Sequence, residues 1–537
     1  VTSLGSGDVN SAERFEGRRF AKKPTLALTQ RALERFPSSF EAYFNDRLPL
    51  RHSLVELNAW IRFRIFGISP NPAIMVGQRG WFYDGYGRER VQGSEVRDRD
   101  NVSDHTGRLA YTDAELRRWA RVLEERRSYL DELGIKYVFA LAPGKRMVYP
   151  EYLPAPLQPL RRESRQEQLS RYLKAHSKVA VIDLTEPLLA ARKRSEDPPV
   201  FYKTDEHWNF YGAFVAYRAM IERANGAFSG LAGPPLELAS FDLQTDADWS
   251  HPRFHATLGT EVKEPYFRLV ARPGNALARL HFSMSPVVKQ VDARPAGKSD
   301  VLSLDKEGVG GTGEIPDVAV HGADGEGAKV SYVKSPEGRP LDRIVLFGDS
   351  FIEKCFYYFA ANAREVYWYR EVLGFPTTVI DAVKPEIVFE EIVQRYLLIE
   401  LPENPKHVTH AYLAAAFRKA SKDLFETKLA ASEEPSARRQ RGKRRSEDRV
   451  ATFQLPPLEP QGTGPIVVAI EVGKTVQVRL TTGSGRREAV ITTLNIEPRA
   501  PAYVELDARQ ARRGVRVLVD AAKRARITSI RVRQGDG

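Results

Sequence analysis

The sequence predicts an α/β protein: a parallel sheet flanked by helices, followed by a C-terminal β-sandwich. Three observations lead there. Short continuous apolar runs alternate with helical stretches over the first 400 residues, which is how buried parallel strands and their crossover helices read. From about residue 451 the pattern switches to alternating apolar and polar residues with regularly spaced turn signals. The chain is 537 residues long, too long for a single core, and 42% hydrophobic with 10% aromatic residues, which supports several.

The elements follow in order. Residues 36–90 combine an amphipathic helix with a turn-rich segment ending in Gly77, Gly80, Trp81, Phe82 and Tyr83. A strong helix comes next. Thr112 and Glu115 make a capping box, Leu116, Trp119, Val122, Leu123, Leu130 and Leu133 form one stripe, and Gly134 stands at the expected left-handed cap. Tyr137–Ala142 is a buried strand stopped by Pro143-Gly144. A helix around 162–176, the strand Val179–Leu184 and a helix over about 209–225 continue the alternation. Residues 245–340, rich in Gly and Pro, read as an insertion, after which come the strand Arg343–Phe347, a helix from about 351 and a strand-helix pair around 386–398.

Domain limits follow: 1–400 for the α/β part, 401–450 for a helix and basic linker, and 451–537 for the sandwich. Ala437–Arg445 is the most basic stretch of that linker. Strands are expected at Ile466–Val472, Thr475–Thr482, Ala489–Ile496, Tyr503–Leu506, Val515–Val519 and Ile527–Val532.

Net charge is +12 and lies almost wholly in the tail: residues 401–537 carry 26 Lys and Arg against 15 Asp and Glu. Any polyanion would bind there. No zinc-finger, basic-zipper or aromatic RNA-binding spacing accompanies the charge, so nucleic acid is not the expected partner. A single cysteine, Cys355, excludes a disulfide framework and a Cys-based zinc site. It reads as a small core residue. The Gly308, Gly310 and Gly313 match to a dinucleotide fingerprint lacks a preceding strand and is followed by Pro316 where a helix is required. The oxygen-rich stretch with Asp98, Asp100, Asn101, Asp104 and His105 departs from calcium-loop spacing. No metal and no cofactor are expected. No apolar run reaches the roughly 18–20 residues that cross a bilayer.

Two motifs carry chemistry. Gly348-Asp349-Ser350-Phe351 follows a buried strand and opens a helix, placing a serine at the carboxyl edge of the sheet, beside N–H groups able to hold an oxyanion. Thr204-Asp205-Glu206-His207-Trp208-Asn209 sets an Asp two residues before a His, close enough to fix its tautomer and stabilise the imidazolium. Each motif alone also reads as a helix cap. Together they supply nucleophile, base and orienting acid.

With these motifs the chain resembles the SGNH-hydrolase-like proteins of the alginate O-acetyltransferase type, AlgJ and AlgX and their relatives in other exopolysaccharide systems. The resemblance covers roughly residues 36–400. It includes Phe36-Pro37, Asp46-Arg47 and Arg51, Gly77 through Tyr83, Pro143, Lys145, Tyr149, Pro150, Glu151 and Pro154, the Asp205 and Ser350 motifs, and Lys384-Pro385 through Val388 with Glu390 and Glu391. It implies Ser350 as nucleophile, His207 as base and then acid, Asp205 as its partner, and the Ser350 N–H as part of the oxyanion hole. It also implies an exopolysaccharide acceptor, an acetyl donor delivered by a membrane-bound O-acyltransferase partner, and a periplasmic location after removal of an N-terminal signal or anchor.

Lys145 and Tyr149, just after a strand, are expected to line the same edge as substrate-binding residues. The tail resembles carbohydrate-binding sandwiches in general pattern. Arg531 and Arg533 alternate with apolar residues, so both guanidiniums share a face suited to an anionic glycan. Two other readings stand beside the transferase: an acetylesterase using the same residues, and a non-catalytic glycan-binding scaffold.

Overall fold

The fold is that of a computed structural model. It describes residues 19–26, 29–47, 51–91, 95–194, 197–250, 263–272, 277, 281–283, 309–310, 330–335, 338–420, 423–428, 450–460, 465–472, 475–482, 489–498, 500–520 and 527–534. The basic run at Ala437–Arg445, the residues Gly308, Gly313 and Pro316, and much of the 245–340 insertion lie outside these residues.

Two compact units emerge. One comprises residues 1–121 and 134–402, the other residues 122–133 and 403–537. The first is built on five parallel strands: β1 (Lys136–Ala142), β2 (Ala180–Asp183), β3 (Leu341–Gly348), β4 (Ala363–Arg370) and β5 (Ile387–Val393). Their spatial order is β4, β3, β5, β1, β2. All the neighbouring pairs are parallel. β1 and β5 are buried along almost their whole length, as expected of strands covered on both faces. Beyond β4 the sheet is continued by antiparallel strands Val330–Lys334, His281–Ser283 and Val309–Gly310.

The part of the insertion that is described is therefore ordered β structure. Phe241–Ser250 and Lys263–Ala271 form an antiparallel hairpin, which the Gly and Pro content of the region concealed. The helix Asp113–Glu132 has its reciprocal cap: the Thr112 N–H donates to Glu115 Oε2 and the Glu115 N–H to Thr112 Oγ1. Gly134 is left-handed, with φ +76°. The helix Gln30–Asp46 leaves Leu33, Phe40 and Phe44 exposed.

The second unit contains two antiparallel four-stranded sheets. One holds Asp423–Lys428, Ile527–Gln534, Ile466–Val472 and Ala502–Leu506; the other holds Val450–Leu455, Val515–Asp520, Val476–Thr482 and Ala489–Ile496. Val468, Ile470, Ile530 and Val532 of the first sheet share one core with Val478, Leu480, Val517 and Val519 of the second, which makes a sandwich. Its strand Asp423–Lys428 falls inside the stretch expected to be linker. Val467 and Ala469, on the other face of the first sheet, are covered by Leu413 and Phe417 of the helix Lys406–Lys419.

Candidate active site

His207 is held by a pinched loop. Phe201 and Trp208 pair as an isolated antiparallel bridge, and the Tyr202 N–H donates to His207 O across it at 3.3 Å. Behind the loop, Asn209 caps the helix Phe210–Ala227, its side chain accepting the Gly212 N–H at 2.9 Å. Gly212 has no substitute there: a Cβ would stand 2.1 Å from Val200 O and 2.9 Å from Trp208 Cβ. The segment Asp205 to Gly212 thus turns sharply out of an extended chain and into a helix, with each motif residue fixing part of the turn.

Ser350 sits on a second sharp turn, from the end of β3 into the six-residue helix Ser350–Cys355. Gly348 has φ +153°, and a Cβ on it would meet Ile352, Glu391 O and Glu391 Oε2 within 3 Å. Asp349 caps the helix through Oδ1, which accepts the Phe351 N–H at 2.7 Å, and its Oδ2 accepts the Val393 N–H of β5 at 3.3 Å. The Asp349 side chain faces inward and is fully buried, so the capping role belongs to Asp349 and leaves Ser350 free to face the loop. Being the first residue of the helix, Ser350 has an N–H that helical geometry leaves without an intrahelical acceptor.

These two turns, 143 residues apart in the chain, meet. His207 Nδ1 lies 2.7 Å from Asp205 Oδ1, and His207 Nε2 lies 2.6 Å from Ser350 Oγ. Asp205 Oδ1 also accepts the His207 backbone N–H at 3.1 Å. The Asp205 side chain is 4% exposed and that of His207 15%, so the acid is shielded while the imidazole remains reachable. Trp208 fastens the two turns together: its Nε1–H donates to Phe351 O at 3.0 Å, and its ring meets the Phe351 ring edge-on at 4.9 Å. Phe351 in turn lies 5.0 Å from the His207 ring.

Parts of the chain are similar to known proteins. Residues 74–238 fit the family described as SGNH hydrolase-like domain, acetyltransferase AlgX. Probable alginate O-acetylase AlgJ of Pseudomonas syringae pv. tomato is 25% identical over 237 residues, or 42% of this chain and 52% of that protein. The AlgJ of Pseudomonas aeruginosa is 26% identical over 180 residues, or 33% of this chain and 39% of that one. Over these stretches the chain is similar to the SGNH-hydrolase-like proteins AlgX and AlgJ. The matched segments span about half, or less, of these relatives' lengths. Among solved structures, Bacillus cereus PatB1 with a sulfonyl adduct is 14% identical with a TM-score of 0.42, covering 62% of this chain and 98% of that one. The O-acetyltransferase domain of Pseudomonas putida AlgJ is 16% identical with a TM-score of 0.36, covering 64% and 100%.

Within this AlgJ/AlgX-like chain, the other residues singled out by sequence have different surroundings from those expected. Lys145 is buried, and its ammonium donates to three backbone carbonyls of the base loop. Tyr149 is buried too; its hydroxyl accepts the Val200 N–H at 3.0 Å and its ring packs on Trp81 at 4.3 Å. Both support the loop from beneath and neither lines an open edge. A predicted position after a strand does not distinguish those two fates. Arg531 and Arg533 do share a face, as their spacing requires, but the helix Lys406–Lys419 covers it. Arg531 pairs with Glu471 at 2.7 Å, Arg533 with Asp423 at 2.5 Å, and both guanidiniums lie over the Phe417 ring. The expected carboxylate clamp is occupied by the protein's own carboxylates.

Asp205, Glu206 and His207 bring three ligand-type atoms within 4.8 Å of one another. Both imidazole nitrogens are already engaged, by Asp205 and Ser350, so this group does not offer an open ligand set. Asp104 of the oxygen-rich stretch is paired with Arg146 at 2.5 Å and accepts from Gln394 at 2.9 Å. Cys355 is buried, and burial pushes its thiol well above the usual range, which suits an inert core residue.

Sequence reasoning gave no role to two acids, of which Glu391 entered only as part of the family resemblance and Glu264 not at all. Glu264, on the hairpin, accepts the Lys203 N–H at 2.6 Å and the Thr204 N–H at 2.9 Å, and also bonds the Thr204 hydroxyl. Glu391, inside β5, accepts the Ile352 N–H at 3.3 Å beneath the nucleophile turn. Burial first, and the neighbouring Asp349 second, push the Glu391 carboxyl well above the usual carboxylate range. Polar residues in an otherwise apolar strand were the available signal for Glu391. Nothing local marked Glu264.

Proposed function

We propose that the chain is a serine-dependent O-acetyltransferase acting on a polysaccharide, with an acetyl-serine intermediate on Ser350. The observation that carries this reading is the continuous relay Asp205–His207–Ser350 at the carboxyl edge of the sheet. His207 Nε2 takes the hydroxyl proton as Ser350 Oγ attacks the acetyl carbonyl, and the Asp205 carboxylate balances the imidazolium that forms. The Ser350 N–H faces the charge developing on the carbonyl oxygen. The imidazolium then protonates the leaving group. In the second half a sugar hydroxyl gives its proton to His207 and attacks the acetyl-serine, and the imidazolium returns that proton to Ser350 Oγ as its bond to the acetyl group breaks, which restores the free enzyme and leaves the acetyl ester on the polymer.

The relatives named as alginate O-acetylases favour a uronate-containing acceptor and an exported polymer, hence a periplasmic site of action. A membrane-bound O-acyltransferase is the natural source of the acetyl group in that setting. Among the described residues no helix is long and apolar enough to cross a membrane.

The test is turnover of a chromogenic acetate with and without short uronate oligosaccharides, for the intact chain and Ser350→Ala. Turnover lost in the variant, together with acetyl-mass adducts on the oligosaccharide, is the expected result. Release of acetate alone would make the enzyme an esterase. Equal rates in both proteins would leave only a glycan-binding scaffold.

A further inference from the structure

The base loop is held by one ammonium. Lys145 Nζ lies 2.9 Å from Tyr202 O, 2.9 Å from Lys203 O and 2.6 Å from Asp205 O. Three N–H groups meet three carbonyls, so the ammonium is fully used and has nothing left for a substrate. Other groups hold the loop as well. Glu264 holds the N–H groups of Lys203 and Thr204 from the opposite side, and the Phe82 N–H donates to Lys203 O at 2.8 Å. The rings of Trp81 and Tyr83 lie 5.6 Å and 5.4 Å from the nitrogen.

We propose that Lys145 is a positioning residue whose positive charge keeps the Asp205–His207 pair aimed at Ser350, so that the site holds its geometry only while this lysine is protonated. A neutral amine has two N–H groups and a lone pair. One of the three carbonyls would then face that lone pair, and the contact closest to the relay is the short one to Asp205 O. The inference rests on the acyl-transfer reading of the site.

The proton on Lys145 is within reach of ordinary pH. Burial lowers the lysine to about 8, against the upward pull of Glu264, Asp205, Asp84 and Glu206, the acids that face it from the hairpin, the loop and the strand Phe82–Asp84. Loss of the clamp is therefore expected as an alkaline limb in activity. Linkage runs the other way for stability. The folded state holds fewer protons than the unfolded chain between about pH 8 and the usual lysine range, so this group's contribution to stability rises with pH there. Falling activity with no loss of fold separates positioning from unfolding.

The experiment uses the full chain as wild type, Lys145→Met and Lys145→Arg, with Ser350→Ala as background. The rate of Ser350 labelling by a fluorophosphonate and the kcat and KM for a chromogenic acetate are followed from pH 6.5 to 9.5. The wild-type rate should lie roughly tenfold below its plateau at pH 9. The Met variant should lose at least about tenfold in kcat with KM little changed, and have no alkaline limb. The Arg variant, which keeps its charge throughout, should recover part of the rate, also without the limb. A wild-type profile flat to pH 9.5, or a Met variant retaining both rate and limb, overturns the proposal.

Ring 15N shifts of His207 decide the case independently of turnover. Wild type should lose its Nδ1–H bond to Asp205 above pH 8 while circular dichroism is unchanged, and its persistence overturns the proposal even if the Met variant cannot fold. If Ser350 never reacts in wild type, the acyl-transfer reading falls, and the same shifts still report on Lys145.

Discussion

Asp205→Asn isolates what the negative charge of the acid contributes. One carboxylate oxygen, Oδ1, takes both the His207 backbone N–H at 3.1 Å and Nδ1 at 2.7 Å. An asparagine carbonyl can occupy that position. The opposite orientation would set an amide NH2 against the backbone N–H, donor against donor, so the tautomer with its proton on Nδ1 survives the change. What is lost is the charge. A hydrogen bond to a charged group contributes about 1.5–3 kcal/mol and a neutral one about 0.5–1.5 kcal/mol. The difference, about 1–2 kcal/mol in the step that creates imidazolium, is roughly 5- to 30-fold in rate. A triad in which asparagine selects the wrong tautomer loses on the order of ten-thousandfold. Pre-steady-state acetylation of Ser350 from a chromogenic acetate, with the acetyl adduct followed by mass, reads the size directly. A rate within twofold of wild type would mean that the Asp205 charge does not support the imidazole. A ten-thousandfold drop would mean that the amide flips and that the backbone N–H does not set its orientation.

Three further outcomes follow from the same geometry. Glu264→Ala strands the buried N–H groups of Lys203 and Thr204 and should cost about 2–4 kcal/mol in urea denaturation, while Glu264→Gln, which keeps one acceptor, should cost less; equal effects would deny the carboxylate its role. Burial raises Glu353 to about 7, so the folded state holds a proton that the unfolded chain releases above about pH 4.5. The stability this gives is complete below that pH and is lost as pH rises towards 7. Thermal melts should show that slope in wild type and a flatter one in Glu353→Gln, and an unchanged slope would refute the assignment. Cys355 should react with iodoacetamide only after denaturation, and modification of the native chain would show that the nucleophile helix opens.

Much of the fold is visible in local pattern because local pattern reports burial. The all-apolar run of β1, the Thr112–Glu115 box and the left-handed Gly134 each have a cause within a few residues. The serine and the Asp-His pair were legible for a similar reason: both are tight turns whose short motifs must also solve a backbone problem. The supports were not legible, because each acts across the chain. Lys145 is 60 residues from the Asp205 carbonyl it holds, and Glu264 is 60 from Thr204. Alternation placed Arg531 and Arg533 on one face but could not tell that a helix more than a hundred residues earlier lies over it. The strand Asp423–Lys428 was hidden by its basic surroundings, since charge patterning describes solvent and says little about a sheet edge.

The sheet has a seam. β5 lies against β1 along seven residue pairs, joining the half that carries Ser350 to the half that carries His207. The covalent path between those halves is long, yet its length hardly enters the energetics, because doubling a connecting loop costs only about 0.6 kcal/mol. Register between Ser350 and His207 is kept by strand pairing and by short-range bonds such as Trp208 Nε1–H to Phe351 O and Tyr358 O–H to Phe210 O. Within that stretch the helix Phe210–Ala227 and β3 are packed into the core and fix the two turns, so changes of length are tolerated only outside them, and only while Glu264 still reaches the loop.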